Sequence, residues 1–156
     1  MVALVTVTTT ITRAADVTTY TAGDNVGSTS AGGYTFTNAA GSSGGSGIIM
    51  GMLAEWNDET TVKLSGEVHL FDTAFTAVAD NAAFVVSDAE AITCVGIIPF
   101  TLFDNGNQDI AYVGNISYPF TTVGSANLRF AVVTRSASVP IANSSTLTFR
   151  LQILQV

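Results

Sequence analysis

"STLTFRLQIL", residues 145–154, alternates polar and apolar side chains for most of its length. Leu147, Phe149, Leu151 and Ile153 fall in one phase, and Thr146, Thr148, Arg150 and Gln152 in the other. Successive side chains of a strand point to opposite faces, so this stretch predicts a strand with one dry and one wet face. The same phase runs through "TVKLSGEVHL" (61–70), where Val62, Leu64, Val68 and Leu70 oppose Lys63, Ser65, Glu67 and His69. It recurs in "NLRFAVVTR" (127–135), with Leu128, Phe130 and Val132 opposing Asn127, Arg129 and Ala131. Near the start, Val5, Val7, Thr9 and Ile11 oppose Thr6, Thr8, Thr10 and Thr12.

Strands of this half-buried kind belong to antiparallel sheets. Weaker candidates lie at 34–38, 47–56, 93–103 and 109–118, and Asp104-Asn105-Gly106 reads as a turn. Seven to nine strands separated by Gly- and Asn-rich turns predict an all-β chain. The expected fold is an antiparallel β-sandwich of jelly-roll type. The chain of 156 residues suits one such domain. Residues 1–13 read as an N-terminal strand or arm and 14–156 as the sandwich.

Two stretches break the alternation. "NAAGSSGGSG" (38–47) is a glycine- and serine-rich loop. It lacks the Gly-Lys-Ser/Thr of a phosphate loop, and no helix pattern follows it. "DNAAFVVSDAEA" (80–91) is acidic and alanine-rich, and Ser87-Asp88-Ala89-Glu90 matches a capping box. A short helical crossover between the sheets is therefore expected near 79–93. Asp80, Asp88 and Glu90 read as caps and solvated carboxylates.

Five cations stand against twelve acids, for a net charge of −7. Nucleic acid and anionic membrane surfaces both call for a cationic footprint, so neither is an expected partner. Charged residues make up 11%, against roughly 25% in ordinary soluble domains. The surface is neutral and hydroxyl-rich, which suits a protein packed against neighbours or working outside the cytoplasm. No apolar run reaches the length of a membrane span, and the opening residues lack the features of a secretory leader. Cys94, the single cysteine, lies in an apolar run and reads as a buried, inert thiol.

The chemistry-bearing residues are few. His69 is the single histidine and sits on the polar phase of a strand, with no nucleophile elbow serving it. Glu55, Asp58, Glu59 and Glu67 could in principle supply a glycosidase pair. "DNGNQD" (104–109) fits part of a calcium loop but has Asn115 where the last ligand would be. Trp56, Tyr34 and Tyr20 could form a sugar-stacking platform. No catalytic residue, metal or cofactor is assigned.

Three stretches together carry a family likeness: "YTAGDNVG" (20–27), "LFDTAFTAVADNAAFVVSDAEA" (70–91) and "RFAVVTRSASVPIANSSTLTFRLQILQV" (129–156). They resemble small tailed-bacteriophage virion proteins of the head decoration or cement type. The resemblance implies a non-enzymatic β-sandwich on the outer capsid surface, bound to the major capsid protein, commonly as a homotrimer. A tail-fibre or adsorption module and a carbohydrate-binding sandwich are the alternatives. The first strand, neutral and threonine-rich, could add to a neighbour's sheet edge, which makes Val5, Val7, Thr9 and Ile11 candidate assembly contacts.

Overall fold

The computed structural model describes residues 2–13, 18–27, 32–57, 62–136 and 145–156. Two antiparallel sheets face each other. The larger is built from β1 (Ala3–Thr12), β10 (Thr146–Gln155), β3 (Ser46–Trp56), β7 (Asp109–Val113) and β6 (Phe103–Asp104), in that order, with β8 (Tyr118–Thr121) also paired to β3. The smaller runs β2 (Tyr34–Phe36), β9 (Leu128–Thr134), β4 (Ser65–Phe71), β5 (Cys94–Thr101). The described residues therefore form an all-β sandwich with one helical turn, α1 (Asp88–Ala91).

The core forms where the two apolar phases meet. Leu147, Phe149, Leu151 and Ile153 of β10 are all buried. Phe149 lies 5.8 Å from Phe130 of β9 and 5.7 Å from Phe100 of β5, both edge-on, and Phe130 stacks on Phe36 of β2 at 4.2 Å. Such edge-to-face and offset pairs add to the ~1.5–3 kcal/mol gained by burying each large apolar side chain.

Two bulges explain the strands that alternate poorly. In β3, Ile153 pairs with Ile49 but Gln152 pairs with Gly51, so Met50 is the extra residue. Ile49 then faces inward before the bulge, and Met52, Ala54 and Trp56 after it. A second shift lies in β5, where Leu70 pairs with Gly96 but Phe71 with Cys94, so Val95 is the extra residue, while β4 keeps its ordinary alternation. Leu70 enters the main core, whereas Phe71 joins a smaller cluster with Phe75 and Ala131.

That smaller cluster corrects the expected crossover. Residues 72–93 leave β4 and return to β5, its neighbour in the same sheet, so they never cross between sheets. They fold back over the outside of the small sheet as a flap, where Phe84, Val86 and Cys94 pack on Phe71, Phe75 and Ala131. The capping box is present: Ser87 Oγ accepts from the Glu90 amide, and Glu90 Oε2 accepts from the Ser87 amide at 2.8 Å. Glu90 Oε1 also accepts from the Thr76 amide and hydroxyl, both at 2.6 Å, so one carboxylate ties the flap together. Cys94 is half-buried rather than fully buried, because it lies at the rim of this thinner layer.

Asp80 is not a solvated carboxylate. Its side chain is 7% exposed and meets Arg13, itself 2% exposed, at 3.4 Å. The Tyr20 hydroxyl donates to Asp80 Oδ1 at 2.5 Å and the Gly27 amide at 2.6 Å, while the Arg13 guanidinium lies over the Tyr20 ring. Gly27 has φ +72°, and a Cβ there would fall 2.3 Å from the Tyr34 hydroxyl, so only glycine can bring that amide to Asp80. The 20–27 and 80–91 stretches that carry the family likeness thus meet in space, joined also by an Asp24–Ala83 bridge.

β1 is not a detached arm. All ten of its residues pair with β10, from Ala3 against Gln155 to Thr12 against Thr146.

Phe149→Ala should lower the unfolding free energy by about 3–5 kcal/mol in a urea titration. Asp80→Ala should cost a similar ~3–5 kcal/mol, because it leaves the Arg13 charge buried without its carboxylate. A loss under about 1 kcal/mol for Asp80→Ala would mean that the network does not fasten the flap.

Candidate functional site

The polar phase of β4 carries Glu67 and His69 to the outside of the small sheet. Glu67 Oε2 lies 3.0 Å from His69 Nε2 and 2.5 Å from the Arg135 guanidinium. The flap covers the histidine, with the Phe84 ring 5.2 Å from the imidazole, while the Arg135 side chain stays 46% exposed. Burial pulls His69 below its ordinary pKa against the opposing pull of Glu67. Glu67 is held below the usual carboxylate range, chiefly by its hydrogen bond from Arg135. Ser65, the nearest hydroxyl on the same strand phase, bonds to Thr101 Oγ1 at 3.1 Å. The arrangement holds an imidazole under an aromatic ring beside a solvent-facing ion pair, and among the described residues no nucleophile is bonded to the histidine. Gly41 to Gly45 do spell the letters of a nucleophile elbow, but they lie in turns that lead into β3 with no helix after them.

The other candidates separate in space. Glu55 is on the outer face of the large sheet, paired with Arg150, whereas Glu67 is on the outer face of the small one. They cannot flank one glycosidic bond, and Asp58 and Glu59 lie outside the described residues. The sugar platform does not form. The bulge in β3 turns Trp56 inward, Tyr20 is buried beside Asp80, and the half-buried Tyr34 leans on Phe130 at 5.4 Å. In the 104–109 loop, Asp104 accepts from the Gly106 amide at 2.7 Å and Asp109 is buried against Lys63 at 2.6 Å, so the acids turn away from a shared centre. Among the described residues no three His, Cys, Asp or Glu side chains converge, and no helix is long and apolar enough to cross a membrane.

What the fold does present is a surface. The outward phases of β1, β10, β3 and β8 align in one row, Leu4–Leu154–Ile48–Pro119, each residue paired with the next across the ladder. Val2 and Val156 extend the row at its end, and Met50 projects from the bulge beside it. Farther along the same face, Tyr112 pairs with Leu53 and Phe103 with Ile110. Leu4, Tyr112 and Phe103 are 70%, 67% and 65% exposed. Among the described outward positions of these strands the charges are Arg150 and Glu55, and they neutralise each other. Along β1 the remainder is threonine, with Thr10 and Thr148 hydroxyls 2.9 Å apart.

The candidate assembly contacts take a different place from this surface. Ile11 is a core residue, Val5 and Val7 are half-buried against the core, and Thr9 Oγ1 donates to the Thr35 carbonyl. Their side chains face the domain's own interior. The outward set on β1 is Leu4, Thr6, Thr8, Thr10 and Thr12. A signal for it stood in the sequence, since the polar phases of β1 and β10 turn apolar at the ends that pair, Leu4 and Leu154.

An NMR titration should find the His69 imidazole ionising below 6.5, and Phe84→Ala should move it upward by reducing its burial. Because the folded value is the lower one, the histidine's contribution to stability is complete above 6.5 and is lost as pH falls through the folded pKa. Compared with known family models, curated proteins and solved structures, the chain matches none.

Proposed function

We propose that this chain is a phage virion structural protein, a capsid decoration or cement protein that binds the major capsid protein on the outer surface of the head and associates with copies of itself. One observation carries the assembly reading. Among the described residues the outer face of the large sheet is nearly free of net charge and edged with exposed apolar side chains, and exposed apolar areas mark sites of association. The likeness of the 20–27, 70–91 and 129–156 stretches narrows assembly to the phage head, and the homotrimer is what that likeness implies. Strand order supports a jelly roll as well. Successive strands alternate between the two sheets, except for the β4–β5 hairpin and the β6–β8 run, as in the two Greek keys of that fold. Such a wrap serves both capsid and lectin domains, but burial of Trp56 and Tyr20 removes the platform that a sugar-binding reading would use.

Densitometry of purified particles tests the assignment. A head decoration protein should appear at a molar ratio near that of the major capsid protein, and His69→Ala and Glu67→Gln chains should bind heads as the parent does. A few copies per particle would place the protein in the tail or its fibres instead, and absence from particles would end the virion reading.

A further inference from the structure

We infer that the outer face of the large sheet binds the same face of a second copy of this chain across a two-fold axis. The inference rests on the assembly reading above only in treating that face as a binding surface; it names the occupant, and it puts a two-fold pair in place of the homotrimer that the likeness implies.

Area and charge both bear on the choice of a second copy. β7 and β8 share one edge of β3 and β6 adds two residues, so the face is about four strands wide at ~4.8 Å spacing and about nine residues tall at ~3.3 Å per residue, on the order of 570 Å². Specific interfaces take roughly 600–1,000 Å² from each partner, so the face reaches the lower end of that range with its flanking turns. Charge favours self-association here. The chain carries −7, and most faces would bring acids together. This face carries one cation and one anion side by side, Arg150 and Glu55. A two-fold axis near them sets each Arg150 against the other copy's Glu55, so the pattern complements itself without an unpaired buried charge. The threonines bring no charge, and the apolar row from Leu4 to Pro119 gains the burial that its own domain does not provide.

Sedimentation equilibrium of the full chain should give twice the mass of one chain. Leu4→Glu should raise the dissociation constant at least about tenfold, since two like charges then enter the interface. Val85→Glu, at an exposed flap position on the other side of the sandwich, should leave it unchanged. A charge exchange separates the contact between copies from the bond within one. Arg150→Glu chains and Glu55→Arg chains should each be monomeric alone and should pair when mixed. Far-UV spectra and melting curves confirm that each variant is folded. A monomeric parent, an unaffected Leu4→Glu chain or a failure of the two charge variants to pair would overturn the inference. So would a trimeric mass, which would leave the decoration assignment standing. A two-fold dimer missing from purified particles would do the reverse.

Discussion

Phe149 is the contact on which the sandwich depends. It rises from the middle of β10, the strand with the longest partners on both sides, and its ring meets Phe130 and Phe100 from the opposite sheet. Phe130 passes the contact on to Phe36 at the sheet's edge. One row of rings therefore fixes both the spacing of the sheets and their lateral alignment. Aromatic side chains suit this, since each fills the inter-sheet gap from one backbone position and loses little rotamer freedom. The neighbours of β10 follow from its register. A slip of one residue would turn its whole apolar phase to solvent, so the ten pairs with β1 and those with β3 are set by the same burial that seats Phe149.

The flap is held by a different kind of force. It buries a small apolar cluster, too small to fix its position against the entropy of a loop of this length. Polar fastening supplies the rest. Asp80 brings together the end of β1 through Arg13 and the 20–27 segment through Tyr20 and Gly27. A buried carboxylate is tolerated because three donors reach it. Burial and the bond to Asp80 push the Tyr20 phenol far up, so it stays a donor across the ordinary pH range. At the far end, the exposed Glu90 is pulled down to about 2 by its bonds from Thr76 and Ser87. Its contribution to holding the flap is thus present above about 4.5 and is lost as pH falls towards 2.

How much of this was legible in the sequence depends on the range of each interaction. β1, β4, β9 and β10 could be read because alternation is local and each strand has one dry face. The capping box at Ser87–Glu90 could be read for the same reason. β3 could not be phased, because Met50 in the bulge inverts the pattern halfway and turns Trp56 from a presumed platform into core. Asp80 was misread because nothing in "ADNAA" reports that Arg13 and Tyr20, more than fifty residues away, will surround it. The flap's return to its own sheet is likewise a matter of strand order, which composition does not encode. For the candidate face, the polar phase of β10 is Thr, Thr, Arg, Gln and then Leu154, and only the register with β1, β3 and β8 shows that Leu154 belongs to a row.

That row also bears on why the chain carries so little charge. A chain with net −7 and 11% charged residues has no shortage of acids, yet among the described ones Glu55 alone stands on the large sheet's outer face. The other described acids sit in the 20–27 segment (Asp24), on the flap (Asp72, Asp80, Asp88, Glu90), at the facing ends of β6 and β7 (Asp104, Asp109) or on the small sheet (Glu67). If the outer face of the large sheet simply faced water, threonine and leucine would hold no advantage there over lysine and glutamate, which protect exposed sheets from unwanted pairing. Their absence from β1, and the single neutral pair that breaks the pattern between β10 and β3, are what a face kept dry in the working assembly requires. The inner faces make one domain from two sheets, and the pairing proposed for the outer face would apply the same chemistry to a second body.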